Sequence, residues 1–161
     1  MALLRESSGQ APFYFQPTLM TIKALSSEDA GNGIQEEINT LFRQLNPKMA
    51  PLHVKTLLEA ENPSIVLCCR ENEMLLGMAC MATYKVFSGY KGWIEDVVVR
   101  ESHRRKGIGR ALLRQLLTLG QAKGLSEILL FTGSTRQAAI TLYENQGFIQ
   151  KNSRLYTYTF S

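Results

Sequence analysis

Between Val97 and Ala111 the chain passes from an apolar strand, through a basic loop, into a glycine-bearing helix. That order restricts the fold more than any other feature. Val97-Val98-Val99 is a β-branched run suited to a pleated strand. Residues 101–106 are polar, and from about Gly107 to Lys123 the apolar residues Ile108, Leu112, Leu116 and Leu119 recur at helical spacing. Gly124 fits as the terminator. The first N–H groups of such a helix lack internal partners, and its dipole places partial positive charge at this end. Gly107 and Gly109 let an anion approach the backbone without a Cβ in the way. Arg104, Arg105, Lys106 and Arg110 surround that start with fixed positive charge. The pattern suits a phosphate.

Which phosphate is narrowed by what the segment lacks. No Lys-Ser or Lys-Thr follows the glycines, as a Walker loop needs. The third position of a dinucleotide fingerprint is Leu112, and five polar residues, Ser102 to Lys106, separate strand from glycine where that fingerprint turns at once. The plainer alternative is a solvated basic face. Six of the 18 basic residues fall between Arg100 and Arg114, while net charge over the chain is only +4.

The rest of the chain reads as strands and helices in a mixed order. All five prolines precede residue 64, leaving the remainder free for regular structure. Residues 1–19 show no periodicity and read as an N-terminal extension, flexible or left over from cloning; residues 20–161 read as the domain. Thr21–Leu25 is expected as a strand, Ser26 or Ser27 to Leu45 as a helix, and Leu52–Glu61 as a short second helix. Ser64–Arg70 and Leu75–Val86 form a hairpin around Glu71-Asn72-Glu73, and Trp93–Arg100 follows as the valine-bearing strand. Glu127–Thr132 is expected as a strand, Arg136–Gln146 as a helix, and Phe148–Lys151 and Arg154–Phe160 as closing strands. Hairpin strands first and a strand–helix–strand–helix unit later argue for a mixed α/β sheet.

Composition excludes several classes. A chain of 161 residues with 45% hydrophobic and 20% charged residues fits one packed domain. No apolar run approaches a membrane span, and Arg5 and Glu6 interrupt the start too early for a secretory signal, so a soluble, cytoplasmic protein is expected. Cys68, Cys69 and Cys80 make no C-x-x-C pair, and with His53 and His103 as the only histidines no metal site is expected.

Arg104-x-x-Gly107-x-Gly109 at the end of an apolar strand resembles the acyl-CoA pyrophosphate loop of the GNAT superfamily of N-acyltransferases. A second block, Ala139-Ile-Thr-Leu-Tyr143-Glu-Asn-Gln-Gly147-Phe148, is similar to the A-x-x-x-Y-x-x-x-G-F block that closes the family's cofactor site. The resemblance covers about residues 20–160, most strongly Trp93 to Phe148. It implies a single GNAT-like α/β domain with a mixed, mostly antiparallel sheet of about seven strands and helices on both faces. It implies acetyl-CoA as co-substrate, its pyrophosphate held by Arg104, Arg105, Lys106, Gly107, Ile108, Gly109 and Arg110, and its thioester positioned along Val97, Val98 and Val99. Many members carry Asn seven residues before the tyrosine. Here Arg136 stands there, so either that contact is lost or Arg136 reaches a phosphate.

Acyl transfer to an amine needs a neutral nucleophile, a stabilised oxyanion and a proton for the departing thiolate. An alkyl amine, with pKa about 10, is mostly protonated at neutral pH, so a carboxylate must take its proton. Glu95 and Asp96 are the candidates, in a strand resembling the Ile-Glu-Asp-Val-Val-Val stretch of amino-sugar phosphate acetyltransferases. Strand neighbours face opposite ways, so only one can face the site directly. Glu95 is assigned as base and Asp96 as substrate contact or structural partner; the plainer reading pairs them with Arg100 or Lys91. Backbone N–H groups would hold the oxyanion. Tyr143, as a protonated phenol, is the candidate acid, or else a core anchor on its helix.

The function expected is an N-acetyltransferase acting by direct attack of a small-molecule or peptide amine in a ternary complex. No nucleic acid or membrane partner is expected, and the alternating Tyr156, Tyr158 and Phe160 would let a terminal strand pair across a homodimer. A non-catalytic acyl-CoA-binding regulatory module is the alternative. A nucleic-acid-binding domain is the other, though the basic window lacks interleaved aromatics. The acceptor-side segments, Gly33–Glu61 and Phe87–Gly92, carry no readable motif.

Overall fold

A computed structural model describes residues 20–160; residues 1–19 and Ser161 lie outside the described residues. The elements run β1 (Met20–Ala24), α1 (Asn32–Leu45), α2 (Val54–Leu58), β2 (Ile65–Glu71), β3 (Met74–Val86), β4 (Gly89–Val99), α3 (Ile108–Ala122), β5 (Glu127–Leu130) and α4 (Gln137–Glu144). Short 3-10 turns stand at Ser27–Asp29 and Glu101–His103. The strands form one sheet in the order β1-β2-β3-β4-β5, antiparallel up to β4 and parallel between β4 and β5. That is the mixed, mostly antiparallel α/β domain expected, with five strands among the described residues where about seven were expected.

The sheet is apolar on both faces because each strand alternates between two helical layers. On one face α3 lays down Ile108, Leu112, Leu113 and Leu116 against Leu67, Cys69, Met81 and Ile94, with Leu142 and Tyr143 of α4 at the margin. On the other, Ile34, Ile38, Leu41 and Phe42 of α1 and Val54 of α2 cover Cys68, Leu75, Met78 and Val98. Close approach of α3 depends on Gly77 of β3, where an added Cβ would lie 2.9 Å from Ile108 Cγ2 and 3.2 Å from the Val98 carbonyl.

Two expectations are corrected. The first helix does not start at Ser26 or Ser27. Ser26 donates through both its N–H and its hydroxyl to Asp29 Oδ2, which closes a 3-10 turn, and α1 begins only after Gly31. The strands expected at Phe148–Lys151 and Arg154–Phe160 are absent from the described sheet. Phe148 stays on the core and Lys151 pairs with Glu127, so the chain does return beside β5. It makes no ladder with β5, which pairs only with β4 among the described residues. Beyond it Leu155, Tyr156, Tyr158 and Phe160 are exposed.

Strand β4 carries the feature that shapes the site. Met78 pairs with Val98 and Cys80 with Glu95, so Asp96 and Val97 together stand opposite Ala79. This is a β-bulge, and Asp96 sits in the left-handed region with φ of 53°. The extra residue resets the alternation. Ile94, Val97 and Val99 all join the α3 layer, while Val98 joins the α1 layer. A left-handed φ is tolerated by Gly and Asn or Asp and strained for β-branched residues. Asp96→Val is therefore expected to be less stable to urea than Asp96→Gly by about 1–3 kcal/mol, with the denaturant slope unchanged.

Candidate active site

Strand β5 pairs with β4 only from Lys91 to Ile94, whereas β4 continues to Val99 along β3. From Glu95 onward the β5-side edge of β4 has no strand neighbour among the described residues, and the bulge at Asp96 stands at the start of this gap. The valine side chains do not face it: Val98 is buried under α1, and Val97 and Val99 pack toward α3. What the valines offer to the gap is backbone.

The basic loop follows at the end of the same strand. Gly107 caps α3 with φ of +83°, and Arg105, two residues earlier, has φ of +63°. Left-handed residues in such a turn aim successive N–H groups into a concavity, the geometry of an anion nest. The first bond of α3 is donated by Ala111 to the Gly107 carbonyl, so the N–H groups of Ile108, Gly109 and Arg110 have no acceptor within the helix. Ile108 contributes only backbone here, since its side chain is core. The two glycines do different work. Gly107 is required by its φ, with open space where a Cβ would stand. Gly109 is closed: an added Cβ would lie 3.2 Å from Leu142 Cδ2, so this glycine lets α4 approach α3. Arg104 is turned back, its Nε donating to the Val99 carbonyl at 3.4 Å and its guanidinium 3.5 Å from Glu101. Arg105, Lys106 and Arg110 make no ion pair among the described residues, which leaves their charge for a ligand.

Glu95 and Asp96 sit at the mouth of the gap. Neither forms the pairing read as the plainer alternative: Lys91 binds Glu127 at 3.0 Å, and Arg100 Nε donates to the Leu75 carbonyl at 3.0 Å. Glu95 is exposed and accepts a hydrogen bond from Trp93 Nε1 at 2.6 Å. Asp96 is half-buried, and burial first, then the charge of Glu95, raises its pKa above the ordinary carboxylate value. Cys80, the cross-strand partner of Glu95, is pushed up to about 11 by burial and the nearby carboxylates, so it stays a thiol.

Tyr143 of α4 packs against the same core cluster as Val97 and Val99. It is half-buried, meets Phe148 edge-to-face with centroids 6.0 Å apart, and its pKa is raised, mainly by burial. The charge of Glu95 adds to the rise and that of Arg136 opposes it, so all three residues share one electrostatic neighbourhood. The phenol is protonated at neutral pH and can donate. The bulge, the nest-forming φ of Arg105 and the packing role of Gly109 carry no sequence signal. The Trp93–Glu95 bond does, since residues two apart on a strand share a face. Among the described residues no cluster of three His, Cys, Asp or Glu side chains could hold a metal ion, and no helix is long and apolar enough to cross a membrane.

This architecture has known counterparts. An aminoglycoside acetyltransferase from an uncultured soil metagenomic sample, in complex with sisomicin, superposes with a TM-score of 0.77 at 18% identity over 88% of this chain and 97% of that one. A ribosomal-protein-alanine N-acetyltransferase from Brucella melitensis biovar Abortus 2308 gives 0.70 at 20% identity, covering 89% of this chain and 100% of its own. Among curated relatives, N-acetyltransferase family 8 member 3 of Mus musculus is 41% identical over 56 residues, 35% of this chain and 25% of the relative. The L-amino acid N-acyltransferase MnaT of Escherichia coli (strain K12) is 31% identical over 85 residues, 52% of this chain and 49% of the relative. These matches span from a quarter to about half of the curated relatives' length. The model of the Acetyltransferase (GNAT) family matches residues 32–148, loop, gap and α4 included, and the chain belongs to that family.

Proposed function

We propose that the protein is an acyl-CoA-dependent N-acetyltransferase that acetylates a primary amine by direct attack in a ternary complex. The observation that carries this reading is the gap itself: β5 stops opposite Ile94 while β4 runs on to Val99, beside a cationic helix start. The residues fit a pyrophosphate-bearing acyl thioester. Backbone N–H groups of residues 105–110, with Arg105, Lys106 and Arg110, would hold the phosphates. Bound acetyl-CoA would supply an activated acetyl group whose C–S bond breaks as the C–N bond forms.

The chain's own part is positioning and proton transfer. Backbone N–H groups on the open edge of Asp96–Val99 are held by pairing with β3 on either side of the bulge, at Glu95 and at Val98–Val99, so they need little reorganisation as charge develops on the acyl oxygen. Glu95, exposed and held by Trp93, takes the proton of the attacking amine. Asp96 lies beside it as a substrate contact. Tyr143 gives a proton to the thiolate, for which its raised pKa keeps it protonated. Having both Glu95 and Tyr143 at one gap favours catalysis over a merely acyl-CoA-binding module. Exposed Tyr156, Tyr158 and Phe160 support a homodimer joined through residues 154–160 as part of the same proposal.

Thiol release from acetyl-CoA with an amine panel tests the two proton carriers separately. Tyr143→Phe keeps the Phe148 contact, and it is expected to lower kcat by about 10²-fold or more with acetyl-CoA affinity retained. Glu95→Gln should lower kcat/KM at neutral pH and recover as pH rises toward the amine pKa of about 10, where the nucleophile is neutral unaided. A loss independent of pH would remove Glu95 from the role of base.

A further inference from the structure

The helical layer over the α1 face holds a half-open cavity of about 430 Å³ between α1 and the segment leading into α2. Gln35, Asn39 and Arg43 line it from successive turns of α1, and Lys48, Met49 and His53 close it from the other side. No acidic side chain lines it. Arg43, Lys48 and His53 are exposed and make no ion pair among the described residues.

The polar groups are committed in a way that leaves donors. Gln35 Oε1 accepts from the Val54 N–H at 2.6 Å, and Gln35 Nε2 donates to Asn39 Oδ1 at 2.7 Å. Gln35 is thus a brace between α1 and α2, and Asn39 keeps its NH₂ as a free donor. His53 Nδ1 accepts from the Lys55 N–H at 3.3 Å, which places its proton on Nε2. Guanidinium, ammonium, imidazole N–H and carboxamide N–H therefore line one cavity with no carboxylate to balance them. Such a set matches an oxyanion, with the planar fork of Arg43 able to bind two of its oxygens.

This cavity lies at one end of α2 and the carboxylates lie toward the other. His53 precedes α2, and the Leu57 carbonyl near its far end accepts from the Ser64 N–H. Ser64 leads into β2, whose Val66 stands opposite Cys80, the cross-strand partner of Glu95. Five residues of helix at 1.5 Å rise separate the two ends by about 8 Å.

We infer that the cavity receives a carboxylate or phosphate carried by the acceptor, with a spacer between that group and the reacting amine longer than in an α-amino acid. This rests on the transferase reading above: Glu95 meets the cationic end and Arg43 the anionic end of one molecule.

The test uses acceptors paired with and without the anionic group: ε-aminocaproate against its amide, and aminohexyl phosphate against 6-aminohexanol, with hexylamine as a second neutral amine and glycine as the short control. The wild type should prefer at least one anionic member by about tenfold or more in kcat/KM and use glycine poorly. Arg43→Ala should abolish the preference while leaving the neutral amines unchanged, and Arg43→Lys should restore part of it. The pair with the larger preference tells carboxylate from phosphate. Isothermal titration of the two anionic probes into CoA-saturated protein gives a readout independent of turnover, with affinity lost in Arg43→Ala. Equal use of charged and neutral partners, or no binding of either anionic probe to CoA-saturated protein, overturns the proposal. Failure of acetyl-CoA itself to bind is the distinct failure of the transferase reading.

Discussion

Strand β4 is shared between two neighbours of unequal length, and the rest of the site follows from that mismatch. Along β3 it is paired to its end; along β5 it is paired for four residues and then released. A backbone edge released inside a covered sheet ordinarily leaves polar groups without partners, which is costly. Here the edge stands open at the end of β5, where a ligand can supply them. The bulge at Asp96 bends β4 at this point and swings Val97 and Val99 into the α3 layer, so the strand stays anchored by its side chains while one edge remains available. Anchoring comes from the extra residue, and availability from the early end of β5.

The basic loop is positioned by packing rather than by its own charges. Helix α3 is drawn onto the sheet by Leu112, Leu113 and Leu116, all fully buried, and Gly77 lets its first turn lie close over β3. Gly109 sets the distance to α4 and hence the placement of Tyr143. Leu142 fills the space beside Gly109 while Tyr143, its neighbour, meets Phe148 at the edge of the gap. The spacing between the two motifs is thus a packing relation: the glycine pattern that suits a phosphate also seats the helix bearing Tyr143.

Much of this was legible in the residues. The order of elements from β1 to α4 follows from hydrophobic period and glycine punctuation, and the valine strand, basic loop and amphipathic α3 announce themselves locally. What was not legible depends on partners distant in sequence. Nothing near Asp96 signals a left-handed residue in a strand, because the bulge is set by the register against Ala79. Residues 154–160 alternate as a strand would, yet alternation supplies only a face, and no strand among the described residues pairs with them. Gly109 reads as an opening for an anion until Leu142 is seen against it. The donors around Arg43 come from a helix face and a loop whose convergence has no sequence motif.

The central claim is that the released edge of β4 and the start of α3 form one continuous acyl-CoA site. Amide hydrogen exchange of the protein with and without acetyl-CoA tests it most directly. The account predicts slowed exchange in two places together, the residues 96–99 of β4 and the residues 105–110 of the loop and first turn of α3. Absence of protection at saturating acetyl-CoA, or protection confined to other segments, would contradict it.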